Sequence, residues 1–346
     1  MSPNRLGYID AMRGFTMILV VYSHIVVFLL ENYPPHLLSN VNNIFVLFRM
    51  PLFFFISGYF AYSANYDWRL FKRRSFNRIV KQFYPTVILW IIFCWIFRPG
   101  DLTDWIFDIH KSGYWFTFVA VEMFFTVTPI LLVLSSLKLS SIIRSICLLS
   151  FCAIIEMCHR YITPPSGFNE IFCLWQYYSY IPFFIMGMIV KIQHEQFNRI
   201  SSNHIFVLGA SIIFILSIVF SEYPLMNMVS AISGIIIIYS IFFYLENLNH
   251  PIITKIYGVL SIIGTSTLEI YLLHYYFVFS FRDIFNLNFL ASLCGTNMEF
   301  PVYFILSVLI CAICLISVKL FKKIHINGIL FPSLSLYSPA TKKPDY

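Results

Sequence analysis

Ten mostly apolar stretches, each about 17–23 residues long, recur along the 346-residue chain, and a membrane-spanning helix needs about 20 such residues. They cover 11–30, 44–62, 80–97, 114–134, 140–157, 175–192, 204–220, 225–245, 259–281 and 301–320. The chain is 59% hydrophobic and 11% charged, where a soluble domain carries about 25% charged residues. A water-soluble globular fold is excluded. The expectation is an all-α integral membrane protein, a bundle of ten transmembrane helices joined by short connectors. One domain over 1–325 holds them, followed by a short tail over 326–346 with prolines and lysines. The first stretch is too long for a cleavable signal peptide and no A-x-A-like site follows it.

The eight cysteines form no disulfide framework, since most lie within the apolar stretches. Cys311 and Cys314 make a CxxC inside one of them, without a second pair, and read as packing residues. The sequence has no Gly-rich nucleotide loop, zinc-protease motif or internal repeat, and no metal site is expected.

With the N-terminus in the cytoplasm, most of the 23 Lys and Arg residues fall on the cytoplasmic side, among them the cluster "RLFKRRSFNR" at 69–78. Arg98, Lys111, Arg160 and Arg282 fall on the other, together with Asp101, Asp104, Asp108 and Glu170. Short-loop Lys/Arg bias sets orientation, so both termini are expected inside. The net charge of +7 is then mostly topology and not a nucleic-acid footprint. The basic cluster can also be read as an anchor against anionic lipid.

The segment "YIDAMRGFTMILVVYSH" at 8–24 opens the first span with Asp10 and Arg13 and carries His24 deep inside it. At about 100° per residue, Asp10, Arg13, Met17 and His24 fall within an arc of about 60°, and His24 lies roughly 16 Å beyond Arg13. One polar stripe on an otherwise apolar helix is expected to face a partner or a wet cavity, because ionisable groups in hydrocarbon are costly. Taken singly, Arg13 could be a snorkelling anchor and His24 a packing residue. Arg49, Glu122 and His274 lie at matching depth, roughly 7–12 Å below the outer edge at about 1.5 Å per residue. They are expected to share one polar cavity with His24, competent for acid–base chemistry. The competing reading is neutralisation of Arg49 by Glu122. Glu269 is turned away from His274 and is not expected to join.

These residues resemble the acyltransferase-3 family of integral membrane O-acyltransferases. The opening segment matches the family's Arg followed by ten residues and His, here Arg13 and His24. "FRMPLFFFISGYF" at 48–60 resembles its second-helix signature, and "RRSFNRIVKQFYP" at 73–85 its basic segment. "YWFTFVAVEMFF" at 114–125, "YYSYIPFFIMGMIV" at 177–190 and "STLEIYLLHYYF" at 266–277 resemble its middle and late helices. Two positions depart. Arg74 and Arg78 are four apart, Ser75 stands where the first arginine of the family's RxxR is expected, and Arg49 stands where many relatives carry His.

The resemblance implies transfer of an acyl group, most often acetyl, from cytoplasmic acyl-CoA to a carbohydrate hydroxyl. It implies His24 as the base, or less readily the acyl carrier, oriented by Glu122 or His274. Asp10, Arg13, Arg73, Arg74 and Arg78 are implied for the donor, and the arginines suit its phosphates. Arg49, Ser57, Trp115 and Tyr271 are implied for the cavity and acceptor. The expected partners are acyl-CoA as a donor substrate, with no tightly bound cofactor, a lipid-linked or polymeric envelope glycan, and membrane lipid. A homo-oligomer stays open. The expected location is a bacterial cell membrane. The rival readings are a transporter or flippase of a lipid-linked glycan, and a non-catalytic scaffold.

Overall fold

The computed structural model describes residues 7–30, 32, 39–137, 139–248 and 250–323. The tail expected over 326–346 and both chain ends lie outside the described residues. All regular structure among the described residues is helical, as expected where backbone groups must be satisfied within each segment.

In chain order the helices are α1 (Gly7–His24), α2 (Asn40–Ala61), α3 (Trp68–Arg78), α4 (Tyr84–Phe97), α5 (Leu102–Phe107), α6 (Trp115–Ser136), α7 (Ser141–Tyr161) and α8 (Phe168–Ile171). They continue as α9 (Leu174–Ile192), α10 (His194–Ser201), α11 (His204–Val219), α12 (Pro224–Asn247), α13 (Pro251–Thr265), α14 (Thr267–Ser280), α15 (Leu287–Leu293) and α16 (Glu299–Lys323).

Among the described residues, seven single helices are long and apolar enough to cross a membrane, and the number rises to nine if each of two bent pairs is one span. The tenth expected stretch forms α9. It is 19 residues long, enough to cross at about 1.5 Å per residue, but Gln176, Tyr177, Tyr178 and Tyr180 lower its hydropathy. Three expected boundaries change. The third span starts at Trp68, because α3, a π turn at Ile79–Phe83 and α4 form one 30-residue helix that carries the basic cluster with it. The stretch 259–281 is not one rod, since α13 and α14 meet at 80° around Ser266. The stretch 204–220 likewise follows α10 at 80°.

Helix α1 is the axis of the bundle. It packs on α2, α12, α13, α14 and α16. Only Gly7, Arg13, Phe15 and His24 of its residues keep partial exposure. Glycines bring backbones into direct contact at two crossings. A Cβ at Gly14 would lie 1.9 Å from the Leu260 carbonyl oxygen, and one at Gly264 1.9 Å from that of Asp10. Gly58 and Gly187 join α2 to α9 in the same way, at 1.8 Å from the Phe184 oxygen and 1.9 Å from the Phe55 oxygen. Small residues permit such close approach where no hydrophobic effect drives helices together. At the end of α1 that carries His24, the buried Glu299 carboxylate accepts from Tyr22, Ser39 and the Gly295 amide, tying α1 and α16 to the start of α2. Helices α7 and α11 turn Ile146, Leu149, Ile205, Leu208 and Val219 outward, as lipid-facing helices do.

Candidate active site

His24 closes α1, and the chain continues beyond it as a π turn, Ile25–Leu29. Such turns are rare and concentrate at functional sites. The bend at Ser266 aims α14 so that His274, fully buried, meets His24. His24 Nδ1 and His274 Nε2 are 2.7 Å apart, with ring planes 11° from parallel. His274 Nδ1 lies 3.0 Å from the Ile270 carbonyl oxygen.

A carbonyl only accepts, so His274 carries its proton on Nδ1 and offers a lone pair at Nε2. Neutral His24 therefore donates through Nδ1 and keeps a bare Nε2. Tyr275 Oη is 3.3 Å from that nitrogen and donates to the Gly113 carbonyl at 2.7 Å. Tyr271 donates to the same carbonyl at 3.1 Å. The pair thus presents one unprotonated nitrogen, backed by a second imidazole and a carbonyl.

The Gly113 carbonyl is held by a strained loop. Lys111, Ser112 and Gly113 have φ of 46°, 50° and 102°, and a Cβ at Gly113 would lie 2.4 Å from the Tyr275 ring. The Asp108 carboxylate accepts from the Ser112 amide and hydroxyl and the His110 amide. The buried Lys111 ammonium donates to the Ile106, Asp108 and Glu170 carbonyls. Burial pushes its pKa down, yet these oxygens satisfy all three of its donors.

Four cavities follow one another through the bundle and share wall residues in turn. The first, about 280 Å³, opens at the basic end between Arg74, Asn77, Arg78 and Lys81. The second, about 180 Å³, shares Arg78 and Gln82 with it and adds Arg13 and Ser57. The third, about 50 Å³, holds His24, Arg49, Gly113 and Tyr275. Phe53, Phe116 and Tyr271 belong to both the second and the third, and form the partition between them. The fourth, about 600 Å³, shares His24 and Arg49 with the third and opens at the far end among Trp105, Trp115, Trp175 and Tyr180.

A family model for an acyltransferase domain matches residues 6–317. The chain belongs to the acyltransferase-3 family. It is a multi-pass membrane acyltransferase that transfers groups other than aminoacyl groups. Neither the curated proteins nor the solved structures hold a match. Family membership favours a transferase over a transporter, and the match spans every residue of the cavity row.

The acyltransferase-3 chain brings most of the expected residues to that row. Arg13, Arg78, Ser57 and Tyr271 line the second cavity, and His24, Arg49, Trp115 and Tyr271 the third. His274 backs His24. Arg74 lines the entrance but also donates to the Ala61 carbonyl at the end of α2. Asp10 is buried on α1, one turn from Arg13.

Two expected members do not join. Arg73 is exposed and lines none of these cavities, because adjacent helical residues point about 100° apart and Arg74 takes the inward face. Glu122 lines a separate pocket of about 320 Å³ with Thr126, Cys158 and Tyr177. It neither meets His24 nor neutralises Arg49, for equal depth on two helices does not make them face each other. Glu269 is buried on α14.

Sequence reading missed Tyr275, Gln82, Phe53, Phe116 and the Gly113 carbonyl. Tyr275 directly follows His274. Gln82 lies four residues after Arg78 and accepts from it at 2.5 Å, a spacing that helical periodicity offers.

Proposed function

We propose that this acyltransferase moves an acetyl-sized acyl group from cytoplasmic acyl-CoA to a hydroxyl of an envelope glycan, lipid-linked or polymeric, at a bacterial cell membrane. The observation that carries this reading is the row of cavities that runs from an arginine-lined mouth to a wide aromatic chamber and is narrowest at His24. This reading takes ten spans with both ends of the chain in the cytoplasm, so that the arginine-lined mouth faces the compartment where acyl-CoA is made.

In this reading Arg74, Arg78 and Lys81 hold the donor phosphates through charge-assisted hydrogen bonds. The neutral arm passes Arg13 and Ser57 and parts the three rings of the partition, and its thioester arrives beside His24. A cell of about 50 Å³ leaves room for little more than an acetyl group. The glycan enters from the far chamber, where Trp115 and Tyr180 offer flat faces to sugar rings.

His24 Nε2 takes the proton of the attacking hydroxyl. The alkoxide oxygen bonds to the thioester carbonyl carbon, the C–S bond breaks, and the departing thiolate takes the proton back from His24. While His24 is an imidazolium, its Nδ1–H donates to His274 Nε2, and His274 is held by the Ile270 carbonyl. His274 is a positioning residue here. No carboxylate is needed for the relay.

The test is mass spectrometry of envelope glycans from cells with and without the protein. An O-acyl mass difference that disappears with His24→Ala at matched membrane abundance is expected. Unchanged glycans in cells that hold abundant wild-type protein would sink the proposal. Cysteine labelling tests the topology separately: positions 2 and 343 should react from the cytoplasm and position 104 from outside.

A further inference from the structure

The far chamber contains a cation that the protein leaves uncompensated. Arg49 sits within the far-end half of α2, and its Nε and Nη1 are buried with no hydrogen-bond partner among the described residues. Its guanidinium lines both the cell around His24 and the wide chamber beyond. The acids of that chamber are engaged elsewhere. Asp108 accepts from the backbone amides of His110 and Ser112, and Asp104 accepts from the Asp101 amide. Neither forms an ion pair with Arg49. The chamber's other arginine, Arg98, lies against the Phe279 ring, 5.0 Å from its centroid.

A guanidinium within a membrane bundle is costly unless something pairs with it, and its planar fork matches a carboxylate or phosphate. The lining next to Arg49 is suited to a sugar. Tyr180 and Trp115 of that lining stack on each other, with centroids 5.5 Å apart and planes 19° from parallel, and the buried Phe54 packs against both at 5.0 and 6.1 Å. Arg49 therefore stands between an aromatic wall and the basic nitrogen of His24.

We infer that the acceptor is an anionic glycan whose carboxylate or phosphate binds Arg49 while a neighbouring hydroxyl meets His24. This rests on the transferase reading and narrows its acceptor. A neutral glycan would enter the same chamber and leave Arg49 unpaired. A permanent anion suits a permanently charged group better than the brief charge of a tetrahedral intermediate.

The experiment compares three small acceptors in membranes supplied with acetyl-CoA: methyl β-glucuronide, its neutral methyl ester, and methyl glucoside 6-phosphate. Wild-type protein should prefer at least one anionic acceptor to the ester, and the winner separates carboxylate from phosphate chemistry. Arg49→Gln should raise KM for the preferred anion by about 10- to 100-fold, the range of a lost charge-assisted hydrogen bond, and leave KM for the ester unchanged. Arg49→Lys should recover part of the loss. Binding of the same acceptors to His24→Ala, read without turnover, should show the same order. Equal acylation of the ester and the anions by wild type would overturn the inference and spare the transferase reading. An equal fall in kcat for all acceptors in Arg49→Gln would overturn it too, and assign Arg49 to the reacting carbonyl oxygen. Absence of acylation of any sugar, with intact acetyl-CoA binding, would instead strike the transferase reading.

Discussion

The cavities on the two sides of Phe53, Phe116 and Tyr271 are built for different tasks. On the basic side the space is narrow, about 180 Å³, and Arg78 and Gln82 are bonded to each other across its wall. On the far side it opens to about 600 Å³, with tryptophans on the wall and Arg49 unpaired. A narrow, pre-bonded passage suits one slender arm of fixed identity. A wide chamber with a few unsatisfied donors suits a bulky partner whose own groups complete it. On the proposed reading, donor recognition is thus largely preorganised, whereas acceptor recognition waits for the acceptor.

On the proposed mechanism, the largest blow to both sides together is loss of the base between them. His24→Ala should lower transfer by about 10²–10⁴-fold, the usual loss for a general base, with both substrates still bound. His24→Gln should not rescue it, because an amide cannot take the proton. Acetyl-CoA binding to each variant, measured beside turnover, checks this.

Next in size is a one-sided lesion. Arg78→Ala should raise KM for acyl-CoA by about tenfold or more and leave the acceptor KM alone, whereas Arg73→Ala should change neither. Steady-state kinetics with each substrate varied in turn would expose a symmetric effect, which the contrast forbids. Trp115→Ala is the mirror image and smaller. It should raise the acceptor KM by about 3- to 10-fold, with donor binding intact, if the ring contributes on the scale of an aromatic contact. Smallest of all is Glu122→Gln. Its pocket lies outside the row, so transfer should stay within about twofold of wild type, a change worth under 0.5 kcal/mol. A loss as deep as that of His24→Ala would return Glu122 to the site.

Much of this was legible in the sequence. Apolar runs gave helices, and the charge imbalance gave a basic end. His24 stood out because an ionisable group in an apolar helix demands a partner, and His274 because its depth matched. Depth failed for Glu122, since distance along a helix says nothing of which neighbour it faces. Azimuth within one helix is readable for the arginines. Positions 74 and 78 share a face, and position 73 cannot. The bend at Ser266 and the π turn after His24 left little local trace: no proline lies at either, and tertiary packing sets both.

On the proposed topology, the three rings of the partition would also act as an electrical insulator. Phe53, Phe116 and Tyr271 are each at most 7% exposed. If water fills the cavities on both faces, the low-dielectric layer is thinner here than the surrounding bilayer. The membrane voltage, about 2.3 kcal/mol per elementary charge per 100 mV, then falls mainly across these side chains. On the proposed reading, phosphates halted at Arg78 stay on the cytoplasmic side of that drop, and a proton reaching His24 from the far chamber crosses almost none of it. Only the neutral arm and its acyl group traverse the field, so the transfer draws little work from the ion gradient and leaks little of it away.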